Sequence, residues 1–148
     1  MAATLLLTGC SGSSDGSAAS EACGLDLLAP AEVVNEPELD EVSKDEANLV
    51  LDLSSSTRKP THVTVQLNGK VALDVRTPAV SAECSHAPVY RHEFRLPSDF
   101  AQVTVTTDQG ERRSITVPLD SQTRWVVVQP QDGFPVGLDA WAEEPAWG

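Results

Sequence analysis

From Ala47 almost to the carboxy terminus, apolar and polar residues alternate with a period of two. Successive side chains of a β-strand point to opposite faces, so this alternation predicts strands with one buried and one polar face. Leu49, Leu51 and Leu53 alternate with Val50 and Asp52. Val63, Val65 and Leu67 alternate with His62, Thr64 and Gln66. Asn68-Gly69 then marks a two-residue turn into Val71, Leu73 and Val75, which predicts a hairpin over 62–76. Tyr90, His92, Phe94 and Leu96 alternate with Arg91, Glu93 and Arg95, and Val103 and Val105 with Thr104 and Thr106. Asp108-Gln109-Gly110 reads as a turn answered by Ile115 and Val117, and 125–128 and 136–141 predict the last strands. Seven to eight short strands with one apolar face each predict an all-β fold, an antiparallel β-sandwich.

The residues ahead of Ala47 break the pattern. Between Pro30 and Glu46 lie Glu36, Glu38, Asp40, Glu41, Asp45 and Glu46 against a lone Lys44. This reads as a short helix near Pro37 to Asp45 or as a solvated arm, and the carboxylates lack the spacing of a calcium loop. Ser11 to Ser20, SGSSDGSAAS, is small and polar and reads as a disordered, flexible tether.

At the amino terminus, Leu5, Leu6 and Leu7 lead into the small residues Thr8 and Gly9. Leu7-Thr8-Gly9-Cys10 resembles the lipobox of bacterial lipoproteins. The resemblance implies that Cys10 carries a diacylglyceryl group, that a peptidase cuts just before it, and that the protein sits on the extracytoplasmic face of the cell membrane. Two acyl chains anchor stably where one is marginal. No Lys or Arg precedes the apolar stretch, so the true translation start is expected upstream of Met1. The expected organisation is a signal peptide over 1–9, lipidated Cys10 and linker over 10–22, and a sandwich domain over 23–148. Within that domain 23–46 is the acidic arm, 47–142 the strands and 143–148 the tail. The strand pattern is similar to immunoglobulin-like and fibronectin-type modules, of the kind seen in exported proteins of high-GC bacteria. It departs from antibody domains in lacking a Trp between two spaced cysteines.

Lipidation of Cys10 leaves Cys23 and Cys84, and an exported domain sits where disulfides persist. A Cys23–Cys84 bridge is expected, with two free thiols as the alternative. Closing a loop of about 60 residues contributes roughly 4 kcal/mol in the chain-entropy model.

The net charge of −12, from 22 acidic and 10 basic residues, changes the list of partners. The adjacent basic pairs are Arg58-Lys59 and Arg112-Arg113, too few to track a nucleic-acid backbone, so no nucleic acid is expected. The acidity also opposes adsorption onto anionic headgroups. No apolar run reaches the ~18–20 residues needed to span a bilayer, so contact with the lipid bilayer falls to Cys10.

The chain contains no His-Glu-x-x-His or phosphate-binding glycine loop, and is read as non-enzymatic. Cys84 and His86 are close but lack a second ligand pair, so no metal or cofactor is expected. Parity puts His62 on a polar face and His92 on an apolar one, packed and hydrogen-bonded; His86, in the 81–87 loop, is a surface residue. Trp125, at the start of a strand, is read as core. Trp141, Trp147 and Phe134 are the candidate ligand or partner contacts. The tail, Glu143 to Gly148, is either a ligand for a partner or a strap against the sandwich. The expected role is a membrane-anchored interaction module contacting another envelope or secreted protein. The alternative is a carbohydrate- or small-ligand-binding lipoprotein using the aromatic-rich carboxy-terminal region. An exposed aromatic groove with polar groups favours the second, a closed sandwich the first.

Overall fold

Each period-two segment folds as a strand in the computed structural model, which describes residues 31–80, 89–120 and 122–145. The strands are β1 (Glu32–Val33), β2 (Leu49–Ser54), β3 (Thr61–Leu67), β4 (Lys70–Thr77), β5 (Val89–Phe94), β6 (Phe100–Thr107), β7 (Arg112–Pro118), β8 (Arg124–Gln129) and β9 (Gly137–Trp141). They form a five-stranded sheet, β1-β4-β3-β6-β7, and a four-stranded sheet, β5-β2-β8-β9. The fold is an all-β sandwich. Its core is made by the positions the alternation marks: Leu49, Leu51, Leu53, Val126 and Val128 from one sheet, Val63, Val65, Val103 and Val105 from the other.

The second strand pairs with the fifth, the third with the sixth and the sixth with the seventh, the pairings of the immunoglobulin-like key. Two departures matter. β4 stays beside β3, and β8 takes the place next to β2. β7 ends where β2 begins, so β8, crossing over from there, runs parallel to β2 from Leu49↔Arg124 to Leu53↔Val128. The remaining strand pairs are antiparallel.

The hairpin turn has the expected chemistry. Asn68 (φ 52°) and Gly69 (φ 83°) are both left-handed, as a two-residue primed turn requires. The Asn68 side chain accepts from the Gln102 amide (2.7 Å) and donates to the Phe100 carbonyl (3.2 Å), fixing the turn to β6.

Residues 31–46 are neither helical nor a free arm, contrary to expectation. β1 pairs with β4, and the amides of Val34 and Glu38 then donate to the carbonyls of Asp74 (2.9 Å) and Val71 (2.8 Å). The Val42 amide crosses to the Glu93 carbonyl of β5 (2.9 Å). The exposed carbonyls of two edge strands satisfy this segment's amides, so it needs no helix of its own. Leu39 packs against the core while the carboxylates around it face water. The arm thereby closes the side of the sandwich between β4 and β5. It runs the length of the domain, from Arg76 at one end to Leu49 at the other.

Candidate functional site

β2 is buried on both faces. Val50, Asp52 and Ser54, which alternation assigns to solvent, are each 1% exposed. On this outer face register brings side chains into rows: Glu93, Val50, Trp125 and Trp141 in one, Arg91, Asp52, Val127 and Asp139 in the next. Arg91 roofs the middle of the face. Its Nε and Nη2 donate to both Asp52 oxygens at 2.8 and 2.9 Å, a bidentate pair. Its guanidinium carbon lies 4.9 Å from the Trp125 ring centroid, and Nη1 donates to Glu144 at 3.1 Å. The Asp52 hydrogen bonds hold the guanidinium above its usual pKa against burial, and Glu144 adds to this. Glu144 gives the tail's described part a strap-like contact across the sheet.

Trp125 is half-buried on this outer face rather than in the core, because Val126 and Val128 take the inward positions of β8. That parity pairs it with Trp141, which is 52% exposed. The two indoles, with Gln122, Thr123, Ala142 and Glu143, line an open cleft of about 600 Å³. The loop beneath it is pinned. The Thr123 hydroxyl donates to the Ala47 carbonyl (3.2 Å), and Asp120 accepts from the Gln122 amide (3.1 Å) and from Arg124 (2.9 Å). Those two bonds, the backbone one first, hold the Asp120 carboxyl below its ordinary pKa.

Phe134 is 65% exposed but lies in the β8–β9 turn, beyond the Gln129↔Gly137 pair, at the far end of the hairpin from Trp125↔Trp141. The structure separates it from Trp141. Cys10, Cys23, Cys84, His86 and Trp147 lie outside the described residues.

The two described histidines keep the faces that parity gives them, and each binds a carboxylate. His62 Nε2 contacts Asp74, whose other oxygen accepts from Asn35 (2.8 Å). His92 Nδ1 contacts Glu41 at 3.0 Å. Burial pushes the Asp74 carboxyl up, but the bonds from His62 and Asn35 outweigh it and hold the pKa low. Both clusters clip the arm to the sandwich. Among the described residues neither continues to a serine or cysteine, and no three-residue set of metal-ligating side chains occurs.

Asp52, Arg91 and Glu144 escape a sequence reading. The available signal was an Asp inside a leucine-rich strand and an Arg centred in a second one, a pairing that register alone reveals. No family model, no curated protein and no solved structure matches the chain, so what the cleft can do follows from its own residues.

Proposed function

We propose that the protein is an exported lipoprotein, held on the extracytoplasmic face of the cell membrane through diacylglyceryl on Cys10, and that it is a non-catalytic binding module. Its binding site is the Trp125–Trp141 cleft. The observation that carries this reading is Trp141, half-exposed on a paired strand beside a second indole and an open cleft. Exposed aromatics with a polar rim mark binding surfaces. The rim of Gln122, Thr123 and Glu143 favours a small ligand over a second envelope protein.

Leu7-Thr8-Gly9-Cys10 and the polar stretch behind it support the anchor. The arm's course suits it as well. The chain meets the sandwich at the Arg76 end, whereas the cleft lies at the opposite end, about 20 Å farther along the strands. The tether therefore joins the domain at the end remote from the cleft.

Mass spectrometry of protein extracted from bacterial membranes tests the anchor. The expected amino terminus is acylated Cys10, and Cys10→Ser moves the protein into the aqueous phase of a detergent partition; an unmodified Cys10 overturns the anchor. The cleft is tested on the Cys10→Ser chain with purified cell envelopes. Trp141→Ala is expected to abolish retention while leaving the thermal midpoint unchanged, and equal retention refutes the site.

A further inference from the structure

We infer that the Trp125–Trp141 cleft takes a small organic cation, a quaternary ammonium of the kind choline carries. This rests on the binding reading above and names the chemistry of its ligand.

Two observations converge. The first is the aromatic pair. Indole faces attract cations, and the protein already uses this once, with the Arg91 guanidinium over Trp125. Trp141 is the cross-strand neighbour on the same face, half-exposed, and among the described residues no cation lies over its ring.

The second is charge. Glu143 lines the cleft, and among the described residues no Lys or Arg does. The guanidiniums nearby are neutralised, Arg91 by Asp52 and Glu144, Arg124 by Asp120. Asp139 adds a further negative charge on the same face of β9, two residues from Trp141. A cation therefore gains from the Trp141 ring and from the carboxylate, and an anion is repelled.

The test is a titration of the ¹⁵N-labelled full chain, followed at the indole N–H signals, which Trp→Phe variants assign. Choline is the probe. Its uncharged isostere 3,3-dimethylbutanol, an N-acetylglucosamine oligomer and phosphatidylcholine vesicles are the comparison arms. Choline is expected to move the Trp141 signal saturably. The isostere should bind about tenfold more weakly, Glu143→Gln should weaken choline about fivefold, and 0.5 M salt should weaken it likewise, each on the order expected for one exposed charge.

Equal binding by the isostere, or no effect of Glu143→Gln, overturns the inference. If the oligosaccharide moves the Trp141 signal and choline does not, the cation falls while the binding site stands. If vesicles alone move it, the ligand is a lipid headgroup and the free-cation inference falls. If no probe moves it and Trp141→Ala leaves envelope retention intact, both readings fall together.

Discussion

Arg91→Ala tests how the outer face of the four-stranded sheet is held. Asp52 is 1% exposed and Arg91 binds both its oxygens, so removing the arginine takes two charge-assisted hydrogen bonds from a buried carboxylate. Breaking a buried pair from one side costs roughly 3–5 kcal/mol, and the low end applies because the Arg91 side chain is 31% exposed and water reaches Asp52 once it is gone. Losing the contact over Trp125 adds about 0.5–1 kcal/mol. The bond to Glu144, itself half-exposed, adds at most about 1 kcal/mol. The expected loss is about 4 kcal/mol, a large share of the roughly 5–15 kcal/mol a domain possesses. In urea unfolding this lowers the midpoint by about 2 M with the slope unchanged. Replacing both partners, as Asp52→Val with Arg91→Met, is expected to recover most of the loss, since an apolar pair of similar volume leaves no charge behind. A single-variant loss under about 1 kcal/mol, or a double variant as unstable as the two singles summed, refutes the account.

Two further outcomes follow from turn and clip. Gly69→Val forces a β-branched residue to a φ of 83° and is expected to cost about 1–2 kcal/mol, read as a lower thermal midpoint; Gly69→Asn should cost less. The Asp74 carboxyl has a folded pKa below its unfolded value, so its stabilisation is complete above about pH 4 and disappears as pH falls through the folded pKa. Asp74→Asn should lower stability at pH 7 and flatten the acid limb of the stability profile, and an unchanged limb counts against the His62–Asp74–Asn35 clip.

The legible part of the fold is the part set by local pattern. Leu49-Leu51-Leu53, Val63-Val65-Leu67 and Val103-Val105 point inward as their spacing says, and Asn68-Gly69 makes the turn its dihedral freedom allows. What stayed hidden depends on pairing between distant segments. Asp52 looks like a solvent-face residue until β5 places Arg91 across from it. Trp125 looks like core because indoles are apolar, and only β8's parity turns it outward to meet Trp141. The acidic segment looks self-contained because its amides find partners on strands about 30–50 residues away, a relation without local periodicity.

The arm has a mechanical meaning. Its amides bond along β4 and then to β5 in a line parallel to its own course. A pull on the chain ahead of Ala31, directed away from that end, loads these bonds in shear, so they resist together. The same pull at right angles would peel them apart one by one. A domain tethered through this arm and tugged by whatever occupies its far end is loaded along the stronger direction.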